Sequence, residues 1–401
     1  MEVPDPPGGG NPQFFTAATT PSKVKAAIVA DYFSIWANII VPTTLKWGGD
    51  RVGYIDLYAG KGRYDDRTKS TPLLILERAI ADPRLREMLV VHLNDGAPEH
   101  ASSLKANIEA LEDYETLRYK PKVYNTQVDR TIERMFAEAD LIPSLIFVDP
   151  WGYKGVTRPL LKALIKDWGS DVVFFFNFRR INMAISNRSV STHMEAFFGS
   201  ERLATLRKRL RRLKREELPK AIREQKRERR RRAVRRRRMV MRAAVEALRE
   251  LGCKFVLRFF FRNKHGLLTH YLIFMCKHFR GYERMRATMA NYSTSVIEGV
   301  PSLGYSVKEA QNPSFDLGDR HPIDALKERL LRDLEGRTMR VIQIFEAHSI
   351  GKRYLLENYK EALRRLESEE RISADPPAAT RPTRKGIVTM GDKTTIAFPR
   401  A

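Results

Sequence analysis

Between residues 52 and 178 the chain alternates short apolar runs with amphipathic stretches. Val52–Leu57, Leu89–Leu93, Lys122–Asn125, Leu145–Val148 and Val172–Phe178 are strand-length. Leu73–Ala81, Ala97–Leu111, Arg130–Ala139 and Arg158–Asp167 carry helical spacing between them. Strict alternation of this kind predicts a parallel sheet with helices on both faces. Leu203, Leu206, Leu210 and Leu213 then repeat at steps of 3, 4 and 3, a helical stripe. Pro219 is expected to break that helix, and a second is expected from Lys220 to about Leu251. Lys254–Arg262 and Thr269–Lys277 are rich in aromatic and β-branched residues and flank Asn263-Lys264-His265-Gly266, which predicts a hairpin.

Five αβ units closed by an antiparallel hairpin form the Rossmann-like fold of the class I methyltransferases, and that is the predicted fold class. Residues 1–22 (with PDPPGGGNP) are expected to be flexible and 23–311 to form the α/β domain, with a basic helical insert over 200–250. Residues 312–321 read as a linker. Beyond it, helices are expected over Pro322–Leu334, Thr338–His348 and Lys352–Leu366, then strands over Ile387–Met390 and Thr394–Phe398. Three helices and a two-stranded wing describe a winged helix-turn-helix over 322–401.

Charge changes this picture. The formal net charge is +24 with 43% hydrophobic residues, so the chain is globular in composition and drawn to polyanions. The excess is local: residues 202–242 hold 21 Lys/Arg against 4 Asp/Glu. Arg229, Arg230, Arg231, Arg232, Arg235, Arg236, Arg237 and Arg238 fall within ten residues and would repel one another without counter-anions. They are expected to meet phosphates, joined by Arg353, Arg384 and Lys385 of the winged helix; a solvated helical face is the competing reading. A winged helix favours duplex DNA over RNA as the partner. No apolar run approaches the ~20 residues of a bilayer span, and the N-terminus lacks a secretory pattern, so a membrane role is not expected. Cys253 and Cys276 form no C-x-x-C pair and His193 and His265 stand alone, so no metal site is expected. Two reduced thiols suit the cytoplasm.

Chemistry concentrates in four places. Tyr54-Ile-Asp-Leu-Tyr-Ala-Gly-Lys-Gly-Arg63 is a strand followed by an acid, an aromatic and Gly-x-Gly. Gly60 and Gly62 would let the backbone approach a ligand, Tyr58 would sit beside it, and Asp56 could receive an ammonium group. This string suits S-adenosylmethionine (SAM) and lacks Walker A spacing. At the end of the second strand, Asn94 and Asp95 are the candidates for the ribose hydroxyls; a loop Asx-turn is the alternative. Asp129 after the third strand could meet the adenine amine or cap a helix. Asp149-Pro150-Trp151-Gly152-Tyr153 resembles the D-P-P-Y signature of amino-group methyltransferases. There Asp149 and Pro150 would orient the acceptor amine, and Trp151 or Tyr153 would stack on a base. The alternative is a strand-ending turn with a core Trp.

Taken together, YIDLYAGKGRY, STPLLILERA, FVDPWGYKGV, FFFNF and FVLRFFFRNKHGLLTHYLIFMCKH resemble the three-Cys-motif partner protein family (TcmP) over about Asp31 to Asn291. The resemblance implies a prokaryotic, SAM-methyltransferase-like protein working with a separate partner that carries a three-cysteine motif. The arginine-rich insert and Asn94 depart from the family pattern. A non-catalytic nucleic-acid-binding scaffold of the same fold is the second expectation.

Overall fold

The computed structural model describes residues 21–64, 66–150, 155–216, 222–311 and 321–400. The expectations for residues 1–20, Trp151, Gly152, Tyr153, Pro219 and the linker residues 312–320 lie outside the described residues. The chain divides into two compact units, one of Thr20–Phe261 with Leu267–Arg284, the other centred on Met285–Ala401.

The first unit opens with α1 (Pro21–Lys46), β1 (Val52–Asp56), α2 (Thr71–Ala81), α3 (Pro83–Met88), β2 (Leu89–Asn94) and α4 (Pro98–Glu109). It continues with β3 (Lys122–Tyr124), α5 (Arg130–Glu138), β4 (Ser144–Val148), α6 (Arg158–Ile165) and β5 (Asp171–Phe176). Next come α7 (Phe178–Ala184), α8 (Ser191–Phe198), α9 (Ser200–Arg215) and α10 (Ile222–Arg249). β6 (Phe255–Arg262), β7 (Leu268–Cys276) and α11 (Phe279–Asn291) follow, the last belonging to the second unit from Met285 on. Within this unit the strands run in the order β6-β7-β5-β4-β1-β2-β3. β1 pairs in parallel with β2 and β4, β2 with β3, and β4 with β5, while β7 runs antiparallel to β5. This is the class I methyltransferase arrangement. The chain builds outward from β1 in one direction, then returns to build from β4 in the other. The β1/β4 junction is therefore the switch point where open α/β sheets place ligands.

β1 and β4 are buried at every position, as central parallel strands must be. Helices α3, α5, α6 and α7 start at side-chain caps. Thr157 Oγ1 accepts the Leu160 N–H at the start of α6, and Asp82 accepts the Arg84 N–H at the start of α3.

The sequence pattern assigns no element before Val52, yet residues 21–46 form the long helix α1. It is apolar enough over 26 residues to span a bilayer, but 61% of its most apolar window is buried inside the unit. Lys25 and Asp31 interrupt the apolar run and hide its length from a hydropathy reading. Its middle is anchored near the start of β5: Tyr32 Oη donates to Asp171 at 2.7 Å and Trp36 Nε1 to the Gly169 carbonyl at 3.1 Å. Its first turn lies at the opposite edge, where the strands end.

The basic insert is a helical hairpin with an anchored root. Leu203, Leu206 and Leu210 of α9 and Val240, Met241, Ala244 and Leu248 of α10 share one apolar cluster with Ile146, Val148, Phe174 and Phe176 of the sheet. Cys253 and Cys276 are buried, and burial pushes the Cys253 thiol up to about 12 and that of Cys276 upward as well. Neither thiol is a reactive thiolate.

The second unit contains β8 (Val296–Ile297), β9 (Val300–Pro301), β10 (Gly304–Ser306), α12 (Val307–Gln311) and α13 (Pro322–Asp333). Then follow β11 (Thr338–Arg340), α14 (Val341–His348), α15 (Leu356–Ser368) and β12 (Ser373–Asp375). β13 (Thr383–Arg384), β14 (Ile387–Val388) and β15 (Thr395–Ala397) complete it. Helix, strand, helix, helix, then strands around a long loop is a winged helix-turn-helix, with sheet order β11-β15-β12. Thr338–Arg340, expected as helix, is a strand because its backbone pairs antiparallel with Thr395–Ala397. Its core includes a fully buried guanidinium: Arg286 lies 4.9 Å from the Phe345 ring centroid and donates to the Ser349 carbonyl and hydroxyl at 3.0 and 3.1 Å.

Burial pushes the Asp171 carboxyl up to about 7, against the Tyr32 hydrogen bond and Lys277, from a model-peptide value of 3.8. The folded state thus binds this proton more tightly than the unfolded chain. Its stabilising contribution is full below about pH 4 and is lost as pH rises through about 7. Urea midpoints should therefore fall less between about pH 5 and 8 for Asp171→Asn than for the wild type. Equal declines would show that the Asp171 proton has no part in the pH response.

Candidate active site

The chain leaves β1 at Asp56 and turns sharply through Tyr58 to Arg63. Gly60 and Gly62 hold φ of +67° and +87°, a left-handed conformation that costs a side-chain-bearing residue roughly 1–2 kcal/mol. At Gly60 the demand is conformational only, since a Cβ would meet nothing within 4 Å. At Gly62 a Cβ would come within 3.1 Å of Leu104 Cδ1, so this glycine also allows the turn to pack on α4.

The two residues that end or follow β2 hold this turn in different ways. Asp95 accepts the Gly60 N–H at 2.9 Å, the Ala97 N–H at 3.0 Å and shares a contact with His100 Nδ1 at 3.2 Å. Asn94 donates through Nδ2 to the carbonyls of Leu57 at 3.1 Å and Thr126 at 3.0 Å. Its Oδ1 accepts the Thr126 N–H at 3.1 Å and hydroxyl at 2.8 Å. An aspartate could not donate to those two carbonyls, so the amide is the chemistry this position requires. Asn94 is fully engaged as a clamp between the loops after β1 and β3. Asp95 keeps lone-pair capacity and lines a cavity of ≈ 380 Å³ together with Tyr58, His100, Thr126, Val128 and Gly155. That volume lies within the range of small-ligand pockets, roughly 300–1,000 Å³. Gly155 belongs there for steric reasons: a Cβ would fall 2.4 Å from Tyr58 Oη.

Asp129 has its other expected role. Its Oδ1 accepts the N–H groups of Thr131 at 2.8 Å and Ile132 at 3.3 Å, capping α5, and its side chain is exposed.

A second group of residues gathers where β1, β4 and β5 end. Asp56 is buried, accepts the Tyr58 N–H at 3.0 Å and the Tyr54 hydroxyl at 3.3 Å. Burial, reinforced by the neighbouring Asp149 charge, pushes its carboxyl up to about 7 despite those hydrogen bonds and Lys25. Asp149 follows β4 and is ion-paired with Lys25 from the first turn of α1. Lys25 is buried and its ammonium lies 4.5 Å from the Phe175 ring centroid and 5.8 Å from that of Phe147. Burial alone lowers the Lys25 pKa, but Asp149, with Tyr64 and Asp56, reverses the direction and the ammonium is held protonated. His270 stacks on Phe175 at 4.6 Å, and burial lowers it to about 4, so it is neutral at pH 7. Pro150 is buried beside Asp149. Asn177, at the end of β5, caps α7 by accepting the Arg180 N–H at 3.1 Å.

Sequence reasoning missed Lys25, His100 and Gly155. The one available signal for Lys25 was a lone cation inside the apolar run Val24 to Val29.

The arginines of the insert have separate places. Arg236 donates to Asn182 Oδ1 at 2.7 Å and to its carbonyl at 2.9 Å. Arg232 reaches the Glu216 carbonyl and Glu228, and Arg235 pairs with Glu216 and Glu228. Arg229, Arg230, Arg231 and Arg238 are exposed, and Arg237 is half-buried. In the winged helix Arg384 and Lys385 are exposed at the β13–β14 turn, whereas Arg353 is half-buried.

Residues 304–379 match a family model described as the GMT-like wHTH domain. No curated protein matches the chain in sequence. Three solved structures are similar. The glycopeptide N-methyltransferase MtfA, complexed with sinefungin, is 9% identical with a TM-score of 0.22, over 37% of this chain and 52% of that one. This chain thus spans about half the length of MtfA. Protein LPL1258 from Legionella pneumophila is 12% identical, TM-score 0.31, over 63% and 85%. The methyltransferase domain of bacterial CtHen1 is 14% identical, TM-score 0.27, over 59% and 96%. The strand order carries the fold assignment: a methyltransferase-type sheet in one unit, a winged helix in the other.

The Lys25–Asp149 pair is expected to fix the first turn of α1 against the sheet. Lys25→Met and Asp149→Asn should each lower unfolding stability by about 1–3 kcal/mol, since each leaves the other charge or its partner unsatisfied. The double variant should cost clearly less than the sum, measured by urea denaturation as a mutant cycle. Additive losses would mean that the two groups do not interact.

Proposed function

We propose that the first unit binds SAM and that the protein is a SAM-dependent methyltransferase acting on an amine of nucleic acid. The observation that carries this reading is the Gly60–Asp95 joint. A left-handed glycine turn at the end of β1 is locked to a carboxylate that still faces a nucleoside-sized cavity. The residues present fit the cofactor. Asp95 would accept the ribose hydroxyls, Thr126 and Val128 would flank the base, and the Gly60–Gly62 turn would approach the methionine end. Asp56, titrating near neutrality, would receive the ammonium. When bound, SAM supplies an electrophilic methyl group.

Asp149 is the group that would orient an acceptor. An ionised carboxylate accepts from an amine N–H and so turns the nitrogen lone pair toward the donor. No strong base is required if the amine loses its proton after transfer, and neutral His270 lies close by to receive one. Trp151 and Tyr153 remain the proposed stacking residues. The winged helix and the net charge support nucleic acid as the acceptor. The resemblance to the three-Cys-motif partner family adds a cysteine-rich partner protein in the cytoplasm.

A second reading, a non-catalytic scaffold of the same fold, is favoured by one observation. The chain's own Lys25 ammonium already occupies Asp149.

Calorimetric titration with SAM and S-adenosylhomocysteine should show micromolar binding by the wild type. Asp95→Ala and Gly60→Asp, the second placing a carboxylate in open space beside the turn, should abolish it while leaving the thermal midpoint within a few degrees. Binding unchanged in both variants, or none in the folded wild type, would remove the cofactor site.

A further inference from the structure

The insert is more specific than its charge suggests. On α10, Arg227, Arg231, Arg238 and Arg242 are all exposed. Their spacings of 4, 7 and 4 at 100° per residue place them within about 60° of one another, one stripe along the helix. From Arg227 to Arg242 the stripe runs about 22 Å at 1.5 Å per residue.

The stripe borders a groove. Between α9 and α10 lies a depression of ≈ 890 Å³ lined by Arg209 of α9 and by Arg235, Arg238 and Arg242 of α10. It runs into a second depression of ≈ 1290 Å³ along the first half of α10, which Arg235 and Arg238 also border. Of the acids that line the two depressions, Glu228, Glu246 and Glu250 are ion-paired, while Glu201 and Glu224 are further along them. Glu250 is held by Arg158 and Arg202, and Glu246 by Arg242. Arg209 and Arg238 have no hydrogen-bonding or ion-pairing partner among the described residues. Two guanidiniums lining one groove, neither ion-paired to its acids, are the arrangement that bidentate phosphate binding uses. A membrane surface is a poorer fit. A membrane-lying basic helix presents an apolar face outward, whereas Val240, Met241, Ala244 and Leu248 are consumed by the core.

We propose that the α9–α10 groove is a seat for the phosphodiester backbone of nucleic acid. Arg209 and Arg238 are its central contacts, and Arg227, Arg231 and Arg242 extend the track. Arg232, Arg235 and Arg236 hold the hairpin's own shape. This deepens the nucleic-acid reading above and is independent of the cofactor. The groove lies on the insert, and its apolar root connects it to the strands that end at Asp149.

The test compares two pairs of substitutions that remove equal charge. Arg209→Gln with Arg238→Gln empties the groove. Arg211→Gln with Arg229→Gln removes exposed charge from the opposite faces of the same helices. Fluorescence anisotropy of the full chain, without SAM, is recorded against salt on a labelled duplex DNA and on a single-stranded RNA of equal length. The groove pair should weaken binding by at least about tenfold near 0.1 M salt on one or both probes, and lower the log–log salt slope by about 1.8, for two lost phosphate contacts. The opposite-face pair should change the slope by less than half as much. Circular dichroism and thermal midpoints of both pairs should match the wild type, since all four positions are exposed. Equal effects of the two pairs would overturn the groove in favour of diffuse charge. A groove pair without effect would overturn it outright. So would groove-dependent binding to phosphatidylserine vesicles as strong as to either nucleic acid. Each of these outcomes is read without cofactor, so it leaves the SAM titration to be judged by itself.

Discussion

A parallel sheet ends in a row of backbone groups that no further strand pairs with, and the chain leaving β1 must cross that row within a few residues. Here it does so through a left-handed turn at Gly60, whose N–H points at Asp95 on the neighbouring strand's exit. Much of the site depends on this one contact. Asp95 can reach Gly60 only because Asn94, one residue earlier, fixes the height of the loop by bonding to Leu57 and Thr126. The two residues divide two tasks, a donor-and-acceptor clamp and a carboxylate. The cavity between Tyr58, Asp95 and Thr126 is the space that remains when the three strand exits are tied together in this way.

The strands of the parallel sheet were legible because buried parallel strands write themselves as apolar runs: Leu145–Val148 is uninterrupted, and Val52–Leu57 is broken only by Gly53 and the site acid Asp56. The glycine turn was legible for a related reason, since a backbone that requires φ above zero restricts the residue type. What stayed hidden depended on partners distant in sequence. Asn94 looked like a weakened acid until its carbonyl partners were in view. Asp129 could have served a ligand or a helix, and its two N–H contacts give it to the helix. Thr338–Arg340 continues a helical pattern into α14, and only the strand at Thr395–Ala397 draws it into a sheet. α1 was obscured by Lys25, a charge whose burial makes sense only beside Asp149.

The basic insert shows why charge alone is a poor guide to contact. Eight arginines within ten residues read as one block, but a helix distributes them around its axis. Arg236 is turned inward to Asn182, Arg232 and Arg235 are tied to Glu216 and Glu228, and the outward face keeps the rest. The leucine stripe of α9 and the apolar end of α10 fasten the hairpin to the same cluster as β4 and β5. That attachment gives a highly charged element a defined orientation. Self-repulsion among the outward guanidiniums is the energetic cost of it, and a bound polyanion would relieve that repulsion.

Lys25 links the cofactor question to the acceptor question. Asp149 has one carboxylate, and an acceptor amine would compete for it with the Lys25 ammonium, which holds Oδ2. The pair is partly buried and rests on the Phe175 ring, so it exchanges a protein cation for a substrate N–H only if the incoming group compensates for the lost ion pair. A neutral exocyclic amine by itself offers less than a charged one. The balance therefore falls on what surrounds it: a base that stacks, and a phosphate backbone whose charge draws the ammonium away from Asp149. An acceptor that carries its own anionic backbone can supply both, whereas a small neutral amine supplies neither. On this argument the ion pair discriminates among acceptors, and it favours the same class of partner that is proposed for the charged face of α10.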